Sequence, residues 1–321
     1  VKSPDQKATD RAAIQAKSLG ETPIQCASPP SLIHGAPKAV PSDKSHLRHI
    51  ARLLGDTSPL VRDELRRQFH AAGKQGRPLL KLASRSDDPR VRGHARTLLL
   101  ELDRAAVRRR LISFSGRTRM DLESGLLLLG RLHDPSLDAR PYRRTLDAFA
   151  DEIQRRCASC CTELERAEVL VDYLSKTVGF SGGEDDYHHP DRVHLHRVIE
   201  TRSGLPLTLC AVYLFVARRI GLRASILPLP GHVMLRLHGV RTSRIIDPFH
   251  GGSTRSQSAL TSYLTTHNLG FDPDWFRASS DRKLFHRQVN NLIQTYSERG
   301  FPAEVETLLD TLEVANHPNQ A

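Results

Sequence analysis

Cysteine is scarce in this chain, five residues in 321, and the spacing is not that of a disulfide-stapled module. Free thiols are the expectation. No apolar run is long enough to cross a bilayer, and no opening segment joins a basic start to an apolar stretch and a small-residue cleavage site. We therefore expect a cytoplasmic protein with no membrane contact. Aromatic residues make up only 5% of the chain. What is present is a 39% apolar content in a length that suits two domains, enough for a sizeable core.

The formal charge is +11, and it is concentrated. Residues 45–119 carry eighteen Lys/Arg against seven Asp/Glu, and the rest of the chain balances. Two readings stay open: a solvated Arg-rich helical surface, or a surface for an acidic partner or nucleic acid. Aromatics do not interleave the basic run as a single-strand stacking platform requires.

Residues 1–44 mix Ser, Pro, Gln, Ala and Lys without apolar periodicity and read as a disordered leader. An internal repeat follows. "SPLVRDELRRQF" from Ser58 is echoed thirty residues later by "DPRVRGHARTLL" from Asp88, each copy opening a helix with a cap residue and a proline. "GKQGRPLLKLASR" between them supplies a turn and a second helix begun at Pro78. Helix pairs at this spacing suggest a short solenoid resembling HEAT repeats over 45–112, or an ordinary helical subdomain.

Helical periodicity continues from Asp121 in "DLESGLLLLGRL", "YRRTLDAFADEIQRR" and "ERAEVLVDYLSKTV". A Gly- and Asp-rich loop, "GFSGGEDDYHHPDR", precedes the helix "GLPLTLCAVYLFVARRIG", which is apolar nearly all round and so predicted to be buried. Three strand candidates follow, "ASILPL", "HVMLRL" and "RIIDPF", and two tail helices broken at Gly300 and Pro302. Helices followed by a cluster of strands predict an α+β fold, with the main domain over 118–270 and a helical tail over 271–321.

A thiol acyl-transfer site needs a cysteine near a helix N-terminus, a histidine to shuttle the proton and a carboxylate or amide to orient it. Cys210, His232 and Asp247 are the candidates. His232 and Asp247 stand fifteen residues apart on successive strands, where a hairpin can bring them side by side. Cys210 reads either as the nucleophile or as a small apolar core residue. The "CASCC" run of Cys157, Cys160 and Cys161 lacks a second pair, and His188, His189, His194 and His196 read as a polar loop at a cleft rim. Neither is taken as a metal site, and no cofactor is expected.

The ordered motifs "RSGLPLTL", "PGH" and "DPFHGG", with Arg287, Asn290, Asn291, Leu292 and Tyr296 in the tail, resemble the SirB-type transglutaminase-like family. The resemblance runs from about Asp121 into the C-terminal helices. It implies a transglutaminase-like, papain-like core with a helical subdomain, a small antiparallel sheet and a tetratricopeptide-like tail. It also implies a binding cleft bordered by Asp186, Tyr187, Pro206, Thr208, Gly231, Pro248 and Gly251. Setting Arg218 and Gly221 on the family's helix pattern puts Pro206 where the catalytic cysteine stands, with Cys210 one turn further in. Arg192 and Val193 also stand where an Asn-Ser pair is usual.

Three functions are consistent with these residues. One is a non-catalytic or highly divergent domain whose His232/Asp247 cleft holds a peptide or partner protein. Another is a thiol acyl transferase or amide hydrolase using Cys210, His232 and Asp247, with backbone amides at the helix start as oxyanion donors. A third is an adaptor that contacts an acidic partner or nucleic acid through the Arg-rich repeats. The position of Pro206 favours the first.

Overall fold

The computed structural model describes residues 44–183, 189–266 and 272–316. The leader, and with it Asp186, Tyr187 and His188, lies outside the described residues apart from Lys44, which already opens a helix. The fold divides into two compact units between Ala106 and Val107.

Helices form the first unit: α1 Lys44–Ala51, a 3₁₀ turn Arg52–Gly55, α2 Pro59–Ala72, α3 Arg77–Ala83 and the N-terminal part of α4 Pro89–Ser115. Prolines stand at the first or second position of α2, α3 and α4, where a missing N–H costs nothing. Leu54, Leu65, Phe69, Leu80, Ala95, Leu98 and Leu102 make its core. The two echoed segments begin alike but differ in length, α2 with 14 residues and α4 with 27. Gly73, at φ 51, supplies the left-handed residue that ends α2. The second copy has Asp103 at the matching position, so α4 runs on toward Gly116.

The second unit continues with α5 Leu122–His133, α6 Arg140–Arg156, α7 Glu163–Asp172, α8 Pro190–Val193, α9 Leu195–Thr201 and α10 Pro206–Arg219. Then come β1 Ala224–Leu227, β2 Met234–His238, β3 Ser243–Asp247, β4 Ser253–Arg255, α11 Gln257–Thr266, α12 Asp281–Glu298 and α13 Pro302–Asn316. This is the mixed helical fold with a small antiparallel sheet that the pattern predicts. Helix starts are specified locally. Asp121 accepts from Ser124 N at α5, Thr162 and Glu165 form a reciprocal capping box at α7, and Ser280 accepts from Lys283 N at α12.

Helix α10 is the centre of this unit. Every residue from Pro206 to Ala217 is buried, and α6, α7, α9, α12, β1 and β2 pack round it. With each fully buried Leu, Val or Phe worth roughly 1.5–3 kcal/mol, this helix dominates the stability of the unit. Its C-terminus is fixed by Arg219, which donates to both carboxylate oxygens of Glu123 at 2.6 and 3.0 Å and to Asp147 at 2.6 Å.

The sheet has order β1-β2-β3-β4, all antiparallel, so a fourth strand joins the three expected. At three residues, β4 is too short to show an alternating pattern. Ile226, Leu235 and Ile246 form one cross-strand row on the α10 core. Leu227, Met234 and Ile245 turn to the other face, which Leu260 and Leu264 of α11 and Phe276 cover. This two-sided burial fixes the register, because a one-residue slip would exchange the faces. The tail helices α12 and α13 form a hairpin broken at Gly300, φ 74, and Pro302.

Candidate functional site

His232 and Asp247 reach one another by this sheet geometry. Gly231, at φ 71, turns the chain into the segment before β2, so that His232 sits two residues ahead of the strand rather than in it. Arg287 of α12 donates to Leu229 O at 3.1 Å and anchors the same connection. Asp247 ends β3, with Pro248 at the start of a 3₁₀ turn and Gly251 and Gly252 at positive φ closing it. A side chain at Gly252 would put its Cβ 2.5 Å from Val171 Cγ1, so only glycine fits.

Asp247 is 1% exposed and shared by two imidazoles. Its Oδ1 lies 3.0 Å from His232 Nε2, and its Oδ2 lies 2.7 Å from His250 Nδ1. Arg255 adds a guanidinium, 3.6 Å from Oδ2. Burial pushes the carboxyl pKa up, but the bonds and charges of His232 and His250 outweigh it and hold the group down at about 2. Phe249 meets the His232 ring edge-on at 5.9 Å, and Gly182 N donates to Phe249 O at 2.8 Å, tying the 181–183 segment to this turn.

The structure does not bring Cys210 to the His232 ring in a nucleophile–base pair. The thiol is 0% exposed and donates to the backbone carbonyl of Val233 at 3.4 Å. Burial, and then the negative charge of Asp247, push its pKa well above the ordinary thiol value. Pro206 is the first residue of α10 and is buried. Thr208 is buried too, its Oγ1 donating to Val193 O at 3.1 Å and accepting from Gln288 Nε2 at 3.2 Å, so its side chain is spent on joining helices. Of the expected cleft residues, Gly231 and Gly251 are exposed, Pro248 is buried beside Asp247, and Asp186 and Tyr187 lie outside the described residues.

His250 was not singled out from the sequence. The signal was its position three residues after Asp247, inside a Pro- and Gly-marked turn that returns the side chain to the carboxylate. Cavities of about 500 and 590 Å³ are lined by residues such as Arg218, Arg223 and His238, and by Arg156, Cys160 and Tyr173. Neither includes His232 or Asp247.

The expectation of a polar His-rich loop is corrected for the two histidines that fall in helical structure. His194 caps α9 and His196 lies inside it, at 1% and 3% exposure. Val193, Leu195, Val198 and Ile199 are buried around them, so helical apolar spacing decides the segment. His194 Nε2 pairs with Tyr296 Oη at 2.7 Å. The four cysteines among the described residues are free thiols. Arg108 is held by Glu306 and Asp310. No helix among the described residues is long and apolar enough to cross a membrane.

Residues 140–290 match the model of the transglutaminase-like superfamily. The chain is 29% identical over 184 residues to a UPF0162 protein of Xylella fastidiosa, covering 56% of this chain and 66% of that protein. A UPF0162 protein of Vibrio cholerae is 24% identical over 149 residues, 46% of this chain and 55% of the relative. F-box only protein 21 of Homo sapiens is 25% identical over 162 residues, 47% of this chain but 25% of that protein. The chain thus spans just under two thirds of the Xylella relative it matches. No solved structure matches. The α+β fold, the ordered motifs and the family match together support a transglutaminase-like domain over residues 140–290 of this chain.

Proposed function

We propose that this domain is a non-catalytic or highly divergent transglutaminase-like module of the SirB type, which binds a peptide or a segment of a partner protein at the His232/Asp247 surface. The observation that carries this reading is the state of Cys210: wholly buried, one turn inside α10, its proton given to a main-chain carbonyl and its pKa raised. A nucleophile requires the opposite on each count. The residue at the family's nucleophile position is Pro206, which carries no thiol. Phe249, His250 and Gly251 line the accessible edge of the surface. In this reading the N-terminal helices serve as HEAT-like repeats and the α12–α13 hairpin as a tetratricopeptide-like element, both presenting binding surfaces in a cytoplasmic protein.

The test is iodoacetamide labelling of Cys210 across pH, read by peptide mass spectrometry, in the native chain and in His232→Ala. We expect no labelling until the protein unfolds. Labelling at about pH 6 that vanishes in His232→Ala would identify an activated thiolate and return the domain to the acyl transferases or amide hydrolases. Peptides selected by display on the full chain should lose at least about tenfold in affinity in Phe249→Ala.

A second reading rests on the exposed side chains of Arg85, Arg90 and Arg96 in the first unit. It gives that unit an acidic partner or nucleic acid. Arg66, Arg67 and Arg77 are already paired with acidic side chains and Arg108 with Glu306 and Asp310, so they are poor probes. Neutralising Arg85, Arg90 and Arg96 should flatten the dependence of log affinity on log salt.

A further inference from the structure

We propose that His232, Asp247 and His250 form a binding site for a divalent first-row transition metal, with Zn²⁺ as the reference ion. One nitrogen from each ring and one carboxylate oxygen lie within 4.8 Å of one another. The two direct separations are 3.0 and 2.7 Å. Ligands about 2.0–2.2 Å from a tetrahedral ion stand a little over 3 Å apart, so an ion enters after small outward rotations of the rings. Two imidazoles and one carboxylate are donors of borderline softness, suited to Zn²⁺ and its neighbours and unsuited to Ca²⁺ or Mg²⁺. Three protein ligands leave a position open for water or for a donor on a bound molecule.

The backbone around these donors is built and held. Asp247 and His250 are fixed by one 3₁₀ turn closed by two positive-φ glycines, with Gly252 N donating to Asp247 O at 2.9 Å. His232 arrives from the connection that Arg287 anchors. Exposure rises outward from the carboxylate, with side chains 1% exposed for Asp247, 15% for His232 and 51% for His250. An ion therefore has an open approach and a buried counter-charge at its end. Without an ion, the two imidazoles and the Arg255 guanidinium share that charge. Arg255 opposes the ion, 3.6 Å from Oδ2 and 41% exposed. A long, half-exposed side chain can swing into solvent when a dication takes its place.

This inference stands apart from the peptide-binding reading, since a metal can sit here whether or not Cys210 reacts. The experiment is titration of chelator-treated full-length chain with Zn²⁺ in competition with a chromogenic chelator, repeated with Co²⁺ to read its visible absorption. We expect one site per chain with the intense absorption of low-coordinate Co²⁺. His250→Ala, an exposed-turn substitution whose folding is checked by circular dichroism, should weaken binding by about 100-fold or more, as should His232→Ala. Arg255→Gln should tighten it several-fold by removing the competing charge. Replacement of Cys160 and Cys161 by serine should leave the affinity unchanged. Binding that survives His250→Ala, binding lost only in the cysteine variant, or no saturable binding would each overturn the proposal.

Discussion

Two clusters of histidine in this molecule show what a buried carboxylate changes. Around α9, His194 and His196 are packed with His133, the three ring centroids 5.5–6.0 Å apart, and the nearest strong partner is the Tyr296 hydroxyl. Nδ1 of both His194 and His196 is buried with no hydrogen-bond partner among the described residues. Burial is the leading cause that pushes both rings toward the neutral form, His196 to about 4. At the end of β3 the same residue type surrounds Asp247, whose charge makes the rings donors. Burial without a counter-charge turns histidine into packing material. Burial of the counter-charge makes a site.

The largest expected effect separates the clusters by pH. Facing His194 and His196 are His133, Asp134, Asp191, Arg197 and Glu200, and the acidic members only partly offset burial. Both folded-state pKa values lie below the unfolded value of about 6.5, so the unfolded chain takes up protons that the folded chain refuses. Stability is therefore indifferent to these two rings above about pH 7 and falls as pH drops from about 6.5 toward 4. For each ring the slope approaches roughly 1.4 kcal/mol per pH unit where the unfolded ring is protonated and the folded ring is not. Urea unfolding at a series of pH values checks this. His196→Phe should remove about one proton from the linkage, and an unchanged slope would show that the cluster is hydrated.

At the other cluster, Asp247→Ala should cost roughly 3 kcal/mol in chelator-treated protein, because it removes the buried acceptor of two imidazoles and of a turn. Asp247→Asn keeps one acceptor and should cost less. Equal losses from the two substitutions would mean that the acceptor kept by asparagine contributes nothing and that the charge of Asp247 carries the whole effect.

A smaller effect, of unusual sign, comes from Gly130 inside α5. Glycine to alanine in a helix normally gains about 1 kcal/mol. Here the new Cβ would lie 2.7 Å from both His196 Nδ1 and Leu137 Cδ2. Gly130→Ala should destabilise by roughly 1–3 kcal/mol through overpacking. A gain in melting temperature would mean that the His196 ring moves aside freely.

The sequence carried the scaffold of these clusters further than their chemistry. Prolines at residues 59, 78 and 89 mark helix starts, and the all-apolar stretch around Tyr213 marks a buried helix, because both signals are local. The approach of His232 to Asp247 was legible too, since it follows from a hairpin and its register. His194 and His196 were misread because a histidine-rich string looks polar; the decisive pattern was the apolar spacing of its neighbours. The second ligand of Asp247, His250, depends on a turn whose geometry needs glycines in a conformation that composition does not display. The state of Cys210 is a tertiary fact, set by which carbonyl of a distant segment meets its sulfur.

The smallest effect probes a polar contact that the α9 cluster makes with α12. Tyr296 Oη and His194 Nε2 are 2.7 Å apart, both groups buried. Tyr296→Phe keeps the ring and its packing on Phe301, 5.6 Å between centroids, and removes only the hydroxyl. It leaves His194 with neither nitrogen bonded among the described residues, at a cost of about 1 kcal/mol at neutral pH. Because this contact involves the neutral ring, its loss should lower the stability curve without changing its acid slope. A steeper or shallower slope would instead mean that the hydroxyl sets the charge state of His194, giving this cluster the titratable chemistry that its surroundings otherwise suppress.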